Sequence, residues 1–355
     1  MLGLDGMITR RLFCLLPREG KPIAVTSAIE PGPWRDWPGE WPRLVYQGWE
    51  DLESHLGAIL SAKRVALEYS PDNGIPYLDR VSGGVLELVR RCGAVPVSSV
   101  DLVTRCWAGW TDVELDSHRR SAELLAAIAR EAAGRAGRAA RGAKPLLEHE
   151  LRDWLIDSIG AAGLVFESPP IVAAGVNSAD VHHDPAAERP RPIIAGDVLL
   201  IDLWAKEPGS VYADQTWMAV LGEPDPRMSA VWTAIRRARD RVIELLRGVV
   251  EAGGSLPAAE AYRVARQVLA ADGLERYAVG RLGHSIGTEL HGPGPNLDGL
   301  ETREQRLLGP GLGFSIEPGL YLPGAFGMRT EVNAFIEPGR LLVTPAQYQS
   351  ELWLV

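Results

Sequence analysis

VLLIDLWAKEPGSVYADQTWMAV, residues 198–220, holds two short apolar runs separated by a Pro-Gly turn, with Asp202 at the end of the first and Asp214 at the start of the second. Runs of this length bounded by turn residues read as β-strands, and a short loop between them makes a strand pair. Pairing would set two carboxylates side by side, which is half of a metal site. Aspartates near turns are ordinary, so the stretch gains its weight from residues further along the chain. Downstream stand His284 in GHSIG, His291 in ELHGPG, Glu317 in SIEPGLY and Glu331 in MRTEVN, each among glycine, proline and apolar residues typical of turns between strands.

On the amino side, LVFESPPIVAAG and the polar loop NSADVHHDPAAERPRP precede the strand pair, and two helical patterns come after it, from about Asp225 through Val250 and from about Leu256 to Ala271. The carboxyl end returns to short strands in GFSIEPGLYL, MRTEVNAFIEPG and RLLVT. Two β blocks with two acids each, separated by helices, predict an internal duplication. Upstream, TDVELDSHRRSAELLAAIAREAAGRAGRAAR opens with a cap-like Thr111 and carries apolar residues at helical spacing, and PLLEHELRDWLIDSIGAAG is a second amphipathic helix ended by glycine. The change of texture near residue 110 marks an expected domain boundary, with domains 1–110 and 111–355.

The first domain alternates strand and helix signals, the mark of an α/β layer. A strand pair is expected over 8–16 and 22–29, a helix over 51–62, a strand over 64–69, a helix over 76–93 and a strand over 94–100. Between them Trp34, Trp37 and Trp41 stand among prolines that forbid regular structure. They are expected to form an ordered loop over the domain's own core, the sharper alternative being a cover for a substrate cleft in a neighbouring subunit.

A length of 355 residues exceeds the usual single-domain size, and 46% hydrophobic residues suffice for packed cores. The formal net charge of −9 argues against nucleic acid as a partner, which would call for a basic stripe. The Arg-rich stretch GRAGRAARGAK reads as a solvated helix end. Three cysteines, Cys14, Cys92 and Cys106, form no CxxC pair, which points to a reducing compartment. Asp5 and the basic residues of the first stretch do not read as a signal peptide, and no run of about 18 apolar residues offers a membrane span. The expectation is a cytoplasmic, soluble protein.

A two-metal hydrolytic site needs about five protein ligands and carboxylates able to bridge cations about 3.5–4 Å apart. Asp202, Asp214, Glu317 and Glu331 supply four carboxylates and His284 an imidazole. Without cations, converging acids would raise one another's pKa. Oxygen donors with one nitrogen favour Mn²⁺ over Co²⁺, Fe²⁺ or Zn²⁺.

The order Asp202, Asp214, His284, Glu317, Glu331, together with NSADVHH, IDLWAK, DQT, GHSIG, HGPG, IEPG and RTE, resembles the M24 metallopeptidases in their prolidase, aminopeptidase P and creatinase branch. The resemblance spans roughly residues 111–355, and the α/β region before it looks like that branch's first domain, apparently shortened at its start. It implies a pita-bread α+β catalytic domain with two divalent ions. Asp202 would chelate one ion, Asp214 and Glu331 would bridge both, and His284 with Glu317 would hold the other. Glu317 would also shuttle protons, His182 would stand near the substrate, His291 would steady the oxyanion, and Arg329 would lie near the metal centre. The implied reaction is cleavage of the N-terminal peptide bond of Xaa-Pro dipeptides or short peptides by a metal-bridged hydroxide, in a homodimer. The alternatives are a creatinase-like C–N hydrolase working without metal and a non-catalytic module of the same fold. Three departures stand out. The aspartates are twelve positions apart where the family has eleven, Leu203 and Trp204 replace an aromatic-Gly pair, and Gly280 followed by Arg281 stands where the prolidase branch has a histidine.

Overall fold

The computed structural model describes residues 7–186 and 188–355. The chain divides into two compact units, one of residues up to Asn73 with Tyr77–Val100, the other of Gly74–Pro76 with Asp101–Val355. In the first, Ile23–Ser27 pairs antiparallel with Phe13–Leu15 and parallel with Arg43–Tyr46. A second parallel pair joins Arg64–Leu67 to Val95–Ser98. The helix Trp49–Leu60 buries Leu52, Leu56 and Leu60, spaced by four so that they share one face, against Val25, Tyr46, Val65 and Leu88.

The helix expected over 76–93 is shorter, covering Gly83–Arg91. Its would-be first turns are held elsewhere, because the N–H groups of Arg80 and Val81 both donate to the Glu68 carbonyl. Ser82 then takes the extended conformation from which the helix starts. Trp34, Trp37 and Trp41 pack edge to face in sequence, with ring centroids 5.5 and 5.2 Å apart, and Trp34 is buried.

In the second unit, Asp112–Ala140 begins in a capping box of Thr111 and Glu114. With Glu148–Ala161 it covers one face of a four-stranded sheet ordered Trp353–Leu354, Ala213–Val220, Val198–Ala205, Ile171–Ala174. Small side chains, Ala129, Ala132 and Ala136, let the long helix lie close to Leu151, Leu155 and Ile159. Every residue of the two central strands is buried, and each apolar side chain so covered contributes about 1.5–3 kcal/mol. Leu199, Ile201, Leu203 and Trp217 face this helix pair, whereas Val198, Leu200, Met218 and Val220 face Pro226–Glu251 and its neighbours.

That alternation decides where the acids point. The ladder runs without a bulge from Val198↔Val220 to Ala205↔Ala213, placing Asp202 opposite Thr216 and Trp204 opposite Asp214. Side chains repeat every second residue, so an even separation on a regular ladder leaves both aspartates on one face. The loop over 206–212 joins the two strands and leaves that ladder regular. After the helices Pro226–Glu251 and Ala258–Ala271 comes the second β block, in which Gly313–Ile316, Val332–Glu337 and Arg340–Thr344 form one sheet and Gly319–Leu322 pairs with Phe326–Arg329. Two helices followed by strands therefore occur twice, in keeping with the expected duplication. Among the described residues no helix is long and apolar enough to cross a membrane.

Candidate metal centre

Two breaks in the second β block supply its acids. Glu317 lies between Gly313–Ile316 and Gly319–Leu322, where Pro318 cannot donate to a ladder, and Glu331 lies between Phe326–Arg329 and Val332–Glu337. The strands across the break pair at Ile316↔Val332 and Gly319↔Arg329, which brings the two glutamates to one place. The Glu331 N–H donates to the Thr216 carbonyl at 3.4 Å, joining this block to the strand that carries Asp214. His284 reaches the same point from an irregular segment whose closeness depends on glycine. A Cβ on Gly283 would stand 2.1 Å from the Ser315 carbonyl oxygen.

Asp214, His284 and Glu331 are buried and present ligand atoms all within 4.8 Å of one another. His284 Nε2 lies 3.2 Å from Asp214 Oδ2 and 3.5 Å from Glu317 Oε1. Its Nδ1 is 3.1 Å from the Ser285 carbonyl, an acceptor, which assigns the proton to Nδ1 and directs the Nε2 position at the carboxylates. Asp202 joins through Thr216, whose hydroxyl lies 3.1 Å from Asp202 Oδ1 and 2.8 Å from Glu331 Oε2. One hydroxyl proton serves two carboxylates, since Thr216 also accepts from Arg329 Nε at 2.8 Å. Arg329 further donates to Asp202 Oδ2 and, at 3.1 Å, to the Tyr321 hydroxyl.

Burial governs the charges. It pushes Asp202 up to about 7, Arg329 opposing the rise while Asp214 and Glu317 add to it. Glu331 is raised well above its ordinary value by burial first, then by Asp214, Glu317 and Asp202. Burial works against protonation of His284, but the Asp214 hydrogen bond and the Glu317 and Asp214 charges outweigh it and raise its pKa. Arg329 rises as well, the acids around it overcoming its desolvation.

Two buried oxygens, Asp214 Oδ1 and Glu331 Oε1, have no hydrogen-bond partner. An unpartnered buried carboxylate oxygen is costly, and two of them beside an imidazole nitrogen fit a divalent cation. The donor set suits the group the sequence implies.

The remaining expected residues line one cleft of about 660 Å³ with the acids. His291 keeps an open side toward solvent, yet its ring packs edge to face on His284 at 4.4 Å. Burial of the ring, with the charges of His284 and Arg281, pushes it down to about 4, so it is neutral at pH 7. His182 lines the cleft, whereas its neighbour His183 is held by Glu148 at 3.0 Å and by Asn177 at 3.3 Å. Trp204 lines the cleft beside Asp214, its buried indole N–H without a partner.

Of the residues that position these groups, sequence reasoning singled out Arg329 and missed three. Thr216 is one, and Asn333 is another: the Asp214 N–H donates to its Oδ1 at 2.9 Å and its Nδ2 donates to the Asp214 carbonyl at 2.6 Å. Ser315 is a third, accepting from the His284 N–H at 2.9 Å and donating to Glu317 Oε1 at 3.1 Å. All three stand two residues from a ligand, Thr216 after Asp214, Asn333 after Glu331 and Ser315 before Glu317, which is the signal that could have found them.

Residues 116–338 match the model of metallopeptidase family M24. Over 339 residues, 93% of this chain and 82% of the relative, the sequence is 28% identical to the probable dipeptidase PepE of Mycobacterium tuberculosis. Over 161 residues, 45% of this chain and 40% of the relative, it is 32% identical to an Xaa-Pro dipeptidase of Lactobacillus delbrueckii subsp. lactis. In fold it resembles the crystal structure of dipeptidase PepE from Mycobacterium ulcerans, with a TM-score of 0.73 and 23% identity over 96% of this chain and 86% of that one. The prolidase from Pyrococcus furiosus superposes with a TM-score of 0.61 at 20% identity, covering 93% of this chain and 88% of that one. The architecture is thus an α/β region followed by a pita-bread catalytic fold.

Proposed function

This chain belongs to metallopeptidase family M24, and on that premise we propose that it hydrolyses the N-terminal peptide bond of Xaa-Pro dipeptides or short peptides with two divalent ions held by Asp202, Asp214, His284, Glu317 and Glu331. The observation that carries the reading is the pair of buried, unpartnered oxygens on Asp214 and Glu331, which cluster with His284 at the wall of an open cleft. They also weigh against a metal-free C–N hydrolase, which would leave both unsatisfied. The relatives named dipeptidase and Xaa-Pro dipeptidase supply the substrate class. Four oxygen donors and one nitrogen favour manganese; the cysteine usage adds a cytoplasmic location to the proposal, and the family resemblance a homodimer.

Bound divalent ions would acidify water toward a pKa of about 7 and polarise the scissile carbonyl. The chain's own groups do the rest. Glu317 is the ligand carboxylate with most access to the cleft, its side chain 16% exposed, and Ser315 steadies its Oε1. It is placed to take the proton of the attacking water and return it to the leaving amine. His291, neutral at working pH, donates N–H to the developing oxyanion, and His182 contacts substrate from the other lining loop. Arg329 and Thr216 hold Asp202 and Glu331 in place.

Replacing His291 by alanine is expected to lower kcat by about 10²-fold with metal content unchanged, since it removes one oxyanion donor and no ligand. Metal analysis of the variant beside its steady-state kinetics checks this; lost metal would move His291 into the ligand set. The test of the function is hydrolysis of Xaa-Pro dipeptides, longer Xaa-Pro peptides and matched non-proline peptides with added Mn²⁺, Co²⁺ or Zn²⁺, against a chelated control. Metal-dependent cleavage with preference for the Xaa-Pro bond is expected. No cleavage of any peptide by the metal-loaded protein would sink the peptidase reading.

A further inference from the structure

The hairpin loop over 206–212 reaches past the two strands it joins. Lys206, the first residue after Val198–Ala205, donates from its ammonium to the Thr288 carbonyl and lies over the Tyr212 ring, 4.5 Å from its centroid. At the other end of the loop the Tyr212 N–H donates to the Gly287 carbonyl at 3.0 Å. Both contacts fall on the segment that runs from His284 to His291. One loop therefore ties the strands of Asp202 and Asp214 to the chain that carries the two imidazoles.

The His291 ring depends on such a tie. Among the described residues its nitrogens have no hydrogen-bond partner, and its ring contact is the His284 imidazole. Its place is set by the backbone beneath it. That backbone is irregular over 288–291, with Thr288, Glu289 and His291 exposed. The turn is closed by the Gly292 N–H on the Ser285 carbonyl at 2.7 Å and by the Gly287 N–H on the Glu289 carbonyl at 3.1 Å. Among the described residues, Lys206 is the only one whose side chain hydrogen-bonds to the tip over 288–291.

Lys206 itself stands on a fixed base. Its backbone N–H and carbonyl exchange bonds with Val165 at 3.0 and 2.9 Å. Next to it, Glu207 accepts two bonds of 2.7 Å from Arg120. At the far end of the loop the buried His118 has Nδ1 2.7 Å from the Tyr212 carbonyl and Nε2 2.7 Å from the Thr344 hydroxyl. A charged donor on an immobile root resists displacement of the tip more than a neutral one would. That matters for His291, since an oxyanion donor must stand about 2.7–3.1 Å from the oxygen on which charge develops. A misplacement of about 1 Å costs about 10²-fold in rate.

We propose that Lys206 is a positioning residue: by holding the Thr288 carbonyl, it sets the His291 imidazole at the distance from the metal centre that oxyanion stabilisation requires. The proposal rests on the peptidase reading and deepens it. It adds a residue that lies outside the lining of the cleft and acts through one that lines it.

The experiment measures hydrolysis of alanyl-proline by the manganese-loaded wild type, Lys206→Met, Lys206→Arg, His291→Ala and the double variant Lys206→Met with His291→Ala. Methionine keeps the stem and removes the donor. Lys206→Met should lower kcat about 10-fold, with KM within about threefold and metal content unchanged. Lys206→Arg keeps a charged donor and should retain at least about a third of kcat. In the His291→Ala background, Lys206→Met should cost less than about twofold, because the group it positions is gone. No loss in Lys206→Met, or the same loss in both backgrounds, overturns the proposal. If the loaded wild type cleaves no peptide, the peptidase reading falls, and crystals of the metal-loaded wild type and Lys206→Met decide the positioning. A His291 ring displaced from its edge-to-face contact with His284, above an unchanged ladder over 198–220, keeps Lys206 as the residue that sets it. Superimposable rings overturn it.

Discussion

Replacing Glu331 by glutamine is expected to abolish peptide hydrolysis, by more than about 10⁴-fold, without unfolding the protein. The size of the loss reflects what the site contributes: a divalent centre takes water from a pKa of about 15.7 to about 7, and no other group in the cleft can make up that difference. Glu331 is the side chain through which the two β blocks meet at the centre. Its Oε2 accepts from Thr216, and its buried Oε1 has no partner. A neutral amide keeps the volume and one acceptor but removes the charge that offsets a cation. Metal affinity falls with it, and changes of supporting residues alone typically cost 10–100-fold in affinity. Stability of the metal-free protein should move the other way. Burial and the charges of Asp214, Glu317 and Asp202 all oppose ionisation of Glu331, so an uncharged residue removes at every pH a repulsion that the wild type relieves only by protonation or by cations. Kinetics, metal content and melting temperature with and without chelator check the three parts. Retained metal together with retained activity would remove Glu331 from the centre.

What could be read from the sequence differs by the type of physical cause. The strand pair over 198–220 was legible because apolar runs bounded by Pro and Gly have few other readings, and the α/β region and helix pairs came from periodicity. The direction of the acids was not, since it depends on register. The twelve-residue interval stood out as a departure, and only the regular ladder on either side of the loop over 206–212 shows that it sets both aspartates on one face. The start of the helix expected over 76–93 was hidden because two N–H groups bond to Glu68, a contact that no local pattern announces. Thr216, Asn333 and Ser315 escaped notice because threonine, asparagine and serine are common in any chain. Their roles arise from what stands across the strand. Gly280 was legible as a departure but not as a reason, because its positive φ and the approach of Glu301 are tertiary facts.

Without metal, the protein should lose stability as pH rises from about 6.5 to 8, and with Mn²⁺ that loss should disappear. Each titrating group contributes with its own sign. Asp202, pushed up to about 7 chiefly by burial, and Glu331, raised further by burial and its neighbouring acids, are more easily protonated when folded than when unfolded. Groups of this kind stabilise fully below their unfolded pKa, near 4, and lose that contribution as pH climbs through the folded value. His284 is raised too, so its contribution is present below about 6.5 and also fades above it. His118 and His291 act in the opposite sense. Burial holds each down to about 4, which makes acid destabilising between about 6.5 and 4, where the unfolded chain takes up protons first. The two sets compete below pH 6.5, and above it the raised groups of the metal centre act in one sense, joined near pH 8 by Cys14 and Cys92, whose thiols burial also raises. Asp202 by itself accounts for about 1 kcal/mol between pH 6.5 and 8, Glu331 adds to it, and the melting temperature should drop by about 2–4 °C or more. Cations invert the dependence, because they bind the deprotonated ligands and bind more tightly as protons leave. At a thousandfold excess over Kd they stabilise by about 4 kcal/mol. Calorimetry at pH 6.5, 7.2 and 8, in chelator and in Mn²⁺, reads the gap between the two curves directly. A gap that narrows with rising pH would mean that the buried acids are not where the protons are held.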